Sequence, residues 1–323
     1  KPLPYSEILI PVTSCLLGIL VASIILGIVY GISPLYTLRV VLTSFTWINI
    51  LRFAIPLILC GAGLCIAFRA NIWNIGAEGQ LVIGAIAATW IALYTPMGRI
   101  PIIAIIVMIF MGFIAGALWA LVAGILRLRL EVNEVLSTLM LNYVAYYFAD
   151  YLVYGPWKGV HEYGYPRSDT FPKTAWLMHI PRTTISPEAL TISIIAATLL
   201  YLIIKYTKIG YEIRMYGANP EAAFIAGIDP LKVVTLAMIL SGGVAGIAGV
   251  FEVAGVHYRL LPGVRVGPGL GYTAIIVAWL ARLNPLVTII TGIFIAGLRI
   301  AADTLQIEFQ TGMGTSFVFI GSI

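Results

Sequence analysis

The chain has 323 residues, 60% of them hydrophobic and only 10% charged, with a mean hydropathy of +1.00. A soluble domain carries about a quarter charged residues, so this apolar surplus excludes a single water-soluble core and makes a bilayer the expected solvent. The net charge of +5 comes from scattered Lys and Arg; with no clustered basic face, a nucleic-acid interface is excluded and contact with lipid headgroups is expected.

Apolar runs fall in chain order near 8–31, 50–68, 71–95, 101–126, 133–154, 189–206, 232–256, 271–282, 284–301 and 304–323. A membrane-crossing helix needs about 20 residues. The expected fold is therefore an all-α polytopic membrane protein of about ten transmembrane helices, forming one domain over 1–323. The first run is too long for the apolar core of a secretory leader and reads as a membrane helix. Cys15, Cys60 and Cys65 lie inside apolar runs with no Cys-x-x-Cys pair, which marks them as packing residues rather than metal ligands or disulfides.

The run from 71 opens on FRANIWNIGAEGQLVIGA, residues 68–85, where Arg69, Asn71, Asn74, Glu78 and Gln80 interrupt the oily pattern. A charged group at a bilayer centre costs a few kcal/mol and faces a water-filled path or a protein partner. Gly76 and Gly79 flank the carboxylate and let the backbone leave helical geometry. Two readings stay open on these residues alone: a solute path lined by Asn71, Asn74, Glu78 and Gln80, or a plain loop between helices. A second Gly/Pro break, LPGVRVGPGLG at 261–271, pairs with the first, as in transporters with broken helices and an internal repeat.

In VNEVLSTLMLNY, residues 132–143, Glu134, Thr138 and Asn142 recur every four residues and share a helical face. Asn142 is assigned to the same path, whereas Glu131 and Asn133 read as the helix boundary in water. Glycine pairs Gly112/Gly116 and Gly242/Gly246 allow close helix approach, within the bundle or between copies. Glu252, His257, Arg265 and Asp303 read as interfacial groups near helix ends. Apart from Arg52 and Arg299, which lie inside apolar runs, Lys and Arg divide nine to eight between the two sides, so the positive-inside rule leaves the orientation undecided.

Between two long runs lies KYTKIGYEIRMYGANPEAAFIAGIDPLKV, residues 205–233. Asn219 suits a helix cap, Pro220 its first turn and Gly227 its end. The enclosed helix of about six residues is marginal alone in water and reads either as a surface turn or as a knob held by another protein. No phosphate-binding Gly-x4-Gly-Lys-Ser/Thr, His-Glu-x-x-His or Gly-x-Ser-x-Gly pattern is present, so no ATPase, zinc protease or lipase chemistry is expected of this chain.

Glu221-Ala222-Ala223 followed by Gly227 resembles the Glu-Ala-Ala…Gly loop by which ABC importer permeases dock into their ATPase. NIGAEGQLVIGA, VNEVLSTLMLNY, VYGPWKG…FP and GYTAIIVAWLARLNP resemble the permeases of the branched-chain amino acid, ribose and nucleoside group. Within that group GAEGQ and GPWK look most like nucleoside or simple-sugar permeases. The resemblance covers about residues 50 to 323. It implies a plasma-membrane subunit with a second permease, identical or homologous, a cytoplasmic ATP-binding subunit that carries ATP and Mg, and an extracytoplasmic solute-binding protein. It also implies that loop 205–232 faces the cytosol and 155–188 the outside. Glu221, Ala222, Ala223 and Gly227 would be coupling residues, and Asn74, Glu78 and Gln80 match the group's polar motif. Trp73 departs from a more usual Phe, a change that would narrow the path or alter solute fit. Rival readings are a ribose or branched-chain amino acid permease, an ion-coupled transporter using Glu78 or Glu134 as proton carrier, and a membrane scaffold without flux.

Overall fold

A computed structural model describes residues 6–31, 33–43, 47–160, 164–181 and 183–308, with positions 310 and 321. Thirteen α-helices succeed one another in the described residues, and no strand occurs among them: α1 Ser6–Tyr30, α2 Pro34–Thr43, α3 Trp47–Arg69, α4 Ala77–Tyr94, α5 Ile103–Leu130, α6 Glu134–Tyr154, α7 Pro187–Tyr206, α8 Lys208–Ala218, α9 Pro220–Ile225, α10 Pro230–Glu252, α11 Gly263–Val266, α12 Leu270–Leu280 and α13 Thr288–Glu308. A π-helical turn, Val253–His257, continues α10.

Helix starts obey local chemistry. Ser186, Asn219 and Asp229 each accept from a backbone N–H of the turn they precede, and each is followed by a proline. That arrangement satisfies one orphan donor and pre-sets the first helical φ. Asn133 caps α6 through Val135 and Leu136 N–H, and Glu131 ends α5 at φ 53°. Both are boundary residues, as their sequence context predicts.

Among the described residues six helices are long and apolar enough to cross a bilayer: Asn49–Arg69, Ala77–Tyr94, Ile103–Leu130, Pro187–Tyr206, Pro230–His257 and Thr288–Glu308. The other expected runs differ for separate reasons. Only Leu17–Tyr30 of the first run counts, as a shorter apolar helix. α6 spans 21 residues but carries polar and tyrosine side chains throughout. α12 has 11 residues. The runs 284–301 and 304–323 do not separate where expected, because α13 runs on to Glu308; most of the chain beyond Glu308 lies outside the described residues.

Two compact units are distinguished, residues 1–54 with 293–323, and residues 55–292. In the first, Tyr36 donates a hydrogen bond to Glu308, and the Arg52 and Arg299 guanidinium groups lie 4.7 and 5.4 Å from the Phe53 ring centre. In the second, α10 is central and packs on α4 and α5. The two glycine pairs meet one another: a Cβ on Gly116 would collide with the Gly242 carbonyl, and one on Gly246 with the Gly112 carbonyl. These pairs thus serve packing inside the chain, where bare backbone lets two membrane helices approach closely.

The ends of the second unit differ. At one end α8 covers the Arg69–Asn71 turn, and Glu212 of α8 reaches Lys232 of α10 at 3.3 Å. At the other, the segment after α6 is fastened by Thr174 to Gly98 O at 2.6 Å, Phe171 N to Tyr258 O at 2.8 Å and Leu260 N to Ser168 Oγ at 2.9 Å. Glu252 corrects an expectation. It is only 4% exposed, with its carboxylate 3.6 Å from His257 Nε2, so it is packed inside the helix bundle and does not snorkel to an interface.

Candidate functional site

The helix expected over 71–95 begins only at Ala77. Residues 71–76 are irregular, and the chain turns at Asn71 with φ 55°. Gly79 therefore lies within α4 rather than at the break. Its missing side chain serves packing, since a Cβ there would stand 2.8 Å from Asn142 Oδ1.

Asn74, Glu78, Gln80 and Asn142 are brought together and fully buried. Asn74 and Gln80 pair through both amides, Nδ2 to Oε1 at 3.2 Å and Nε2 to Oδ1 at 2.9 Å. Asn74 also donates to Ser241 Oγ on α10 at 2.9 Å and accepts from Gly76 N at 3.0 Å. Asn142 accepts from Gly79 N at 2.8 Å, and its Nδ2 donates to Ile75 O at 2.9 Å and to the Tyr272 hydroxyl at 3.0 Å. One amide thus satisfies the broken backbone on both sides of Gly76 and ties α6 to α4 and α12.

Glu78 is the charged centre. Its Oε1 accepts from the Tyr146 hydroxyl and from Gly269 N, both at 3.0 Å, and its Oε2 from Gly271 N at 2.6 Å. It stands in the first turn of α4, and the two glycine N–H groups belong to the start of α12. Two helix N-termini converge on one carboxylate, each presenting partial positive charge and unsatisfied donors. The two Gly-rich breaks that pair along the sequence meet here in space. Gly271 must lack a side chain, because a Cβ would collide with the Glu78 backbone.

Asn71 stands apart from this group. It is exposed at the turn, and its carbonyl accepts from Arg127 Nη1 at 3.2 Å, while Arg127 pairs with Glu134 at 2.8 Å. Thr138 joins the break by accepting from Ile75 N at 3.2 Å. Tyr146, Tyr272, Ser241, Gly269 and Gly271 are network members that the sequence reading missed. Tyr146 was within reach of it, since it continues the Glu134, Thr138, Asn142 spacing by one further turn.

At the α8 end, α9 projects as a six-residue helix. Asn219 Oδ1 accepts from Ala222 N at 3.0 Å, and Gly227 closes the turn at φ 81°. Ala223 is buried and anchors the element, whereas Glu221, Ala222, Phe224, Ile225 and Gly227 are exposed. Ile225, 85% exposed, extends the apolar tip beyond Phe224.

The described residues offer a rigid buried polar frame beside one break and a projecting apolar tip at the end where α8 and α9 lie. Residues 46–319 match the family described as branched-chain amino acid transport system / permease component. The chain is 32% identical to a glucose ABC transporter permease of Haloferax volcanii over 87% of this chain and 74% of that protein. It is 28% identical to a guanosine ABC transporter permease of Bacillus subtilis over 94% and 88%. Identity is also 28% to a nucleoside ABC transporter permease of Lactococcus lactis subsp. cremoris, over 76% and 70%. No solved structure matches the chain.

Proposed function

Because the chain belongs to the branched-chain amino acid transport permease family, and is thereby a permease subunit of an ABC importer rather than an enzyme, we propose that its cargo is a nucleoside or a simple sugar. The named cargoes of its relatives, glucose, guanosine and nucleosides, carry this reading. Asn74, Glu78, Gln80 and Asn142 form the frame of the solute path, and Asn71 stands at its inner mouth. Glu221, Ala222, Ala223 and Gly227 present α9 to a cytoplasmic ATP-binding subunit, which supplies ATP and Mg. The α9 tip, with Phe224 and Ile225 exposed on a firmly capped turn, supports that role. Loop 205–232 is then cytoplasmic and 155–188 extracytoplasmic, where a solute-binding protein delivers cargo. A second permease completes the path in the plasma membrane, and the chain crosses about ten times with α6 among its crossings.

An ion-coupled mechanism finds less support. Glu78 is engaged by Tyr146, Gly269 and Gly271, and Glu134 pairs with Arg127 at 2.8 Å, so both carboxylates serve contacts within the chain. The test is uptake of labelled guanosine and glucose into proteoliposomes holding the chain with its co-purifying subunits. Uptake is expected to need ATP and to disappear in Glu221→Lys and Gly227→Trp while insertion persists. Uptake driven by a pH gradient without ATP would overturn the reading.

A further inference from the structure

Beside the buried frame runs a strip of rings, of which Tyr272 also bonds to the frame through Asn142. On α6, Tyr143 and Tyr147 are one turn apart and exposed, Tyr147 by 70%. On α12, Tyr272 and Trp279 are seven residues, two turns, apart and share a face. Asn142 joins the two helices by its 3.0 Å bond to the Tyr272 hydroxyl. Trp279 then stands 5.7 Å, ring to ring, from Trp73, which is 45% exposed beside the break. Phe68 backs both indoles at 5.7 and 5.9 Å.

An aromatic belt at the membrane surface is the ordinary explanation for exposed Tyr and Trp. Depth argues against it on α6. At 1.5 Å per residue, Tyr143 and Tyr147 lie about 14 and 20 Å along a helix of about 31 Å, so both phenols stand near its middle. A hydroxyl facing hydrocarbon there would lose its hydrogen-bond partners, which is costly. On α5, by contrast, no exposed residue between Ile106 and Ile125 carries a hydroxyl. The exposed side of α5 carries Ile106, Phe110, Leu118, Val122 and Ile125.

Resting on the permease reading above, we infer that Tyr143, Tyr147, Tyr272, Trp279 and Trp73 are the solute-contacting wall of the path, a stacking track for a ring-bearing solute. The buried amides and Glu78 are then positioning residues that aim the track and do not touch cargo. Flat aromatic faces bind a nucleobase by stacking, or cover the C–H face of a sugar ring. Phenol hydroxyls add exchangeable hydrogen bonds. Such contacts are strong enough to admit a solute and weak enough to release it, as conduction requires. The strip is open on this chain, so the second permease closes the path opposite it.

The test places single cysteines in the assembled transporter after Cys15, Cys60 and Cys65 are replaced by Ala. Tyr147→Cys and Trp279→Cys are compared with Phe110→Cys on the lipid face for reaction with a charged, water-soluble maleimide. Thiols on a wet path form the reactive thiolate and those in hydrocarbon do not, so labelling is expected to be roughly tenfold faster or more at 147 and 279. Added guanosine or glucose should slow it. Equal, slow labelling at all three sites overturns the inference, whatever the complex transports. In a second arm, Trp279→Leu and Tyr147→Leu should reduce ATP-driven uptake severalfold while the complex stays intact by size exclusion; wild-type uptake in both variants overturns it as well. Fast, solute-independent labelling with no ATP-driven uptake by the unsubstituted transporter would overturn the cargo reading and the track together, while leaving the strip wet.

Discussion

The Glu78 carboxylate accepts a 2.6 Å hydrogen bond from the backbone N–H of Gly271, a residue 193 positions later in the chain. With the bond from Gly269 N at 3.0 Å, this contact makes the side chain of α4 the N-terminal cap of α12. A broken membrane helix leaves N–H groups that lipid cannot satisfy. Here a buried carboxylate satisfies them.

Glu78→Ala removes the acceptor for two backbone N–H groups and the Tyr146 hydroxyl. At about 1–3 kcal/mol for each buried donor left unpaired, a loss of several kcal/mol is expected. Glu78→Gln keeps part of the acceptor capacity and should fall between. Thermal unfolding of the detergent-purified complex checks the order wild type, Gln, Ala; equal midpoints would refute the capping role.

Asn142 offers a sharper comparison. Its Nδ2 donates to Ile75 O and Tyr272, while Oδ1 accepts from Gly79 N. Asn142→Asp keeps the acceptor but turns an oxygen toward the Ile75 carbonyl. It should be no better tolerated than Asn142→Leu, each costing about 2–4 kcal/mol. Recovery of wild-type stability in the Asp variant would show that the donor is dispensable.

The glycine contact between α5 and α10 predicts that Gly246→Ala is destabilising by about 1–3 kcal/mol, since the added methyl meets backbone on α5. Gly124→Ala serves as the control. There the nearest atom belongs to the flexible Met238 side chain, at 3.3 Å, and not to backbone. Expression and melting temperature should separate the two variants.

For α9, Asn219→Ala is expected to remove about 1 kcal/mol of capping and to lower ATP hydrolysis coupled to uptake. Asn219→Asp retains the acceptor for Ala222 N and should restore coupling. Ile225→Glu should leave unfolding unchanged, because the side chain is 85% exposed, yet reduce co-purification of the ATP-binding subunit. An unchanged subunit ratio would argue against docking through this tip.

Much of the architecture was legible before any coordinates. Asn219, Pro220 and Gly227 bound α9 as read, because caps and turns are set by local bonds and by φ preferences. The polar stripe Glu134, Thr138, Asn142 gave the inward face of α6, although Glu134 proved to serve an ion pair with Arg127. Helix count was less legible. α6 and α12 are respectively too polar and too short for a hydropathy criterion, and α13 passes through the expected boundary near 301–304.

What the sequence alone determined is the solvent, the helical class and the position of each polar break, since hydropathy, periodicity and capping act within a few residues. Only the tertiary structure decided that the two breaks share one carboxylate, that Asn71 stands outside the amide frame, and that the glycine pairs close on each other. Those outcomes depend on which helix N-terminus reaches which acceptor across more than a hundred residues of chain. That partnership is fixed by packing and by the need to satisfy every buried donor, and no local pattern encodes it.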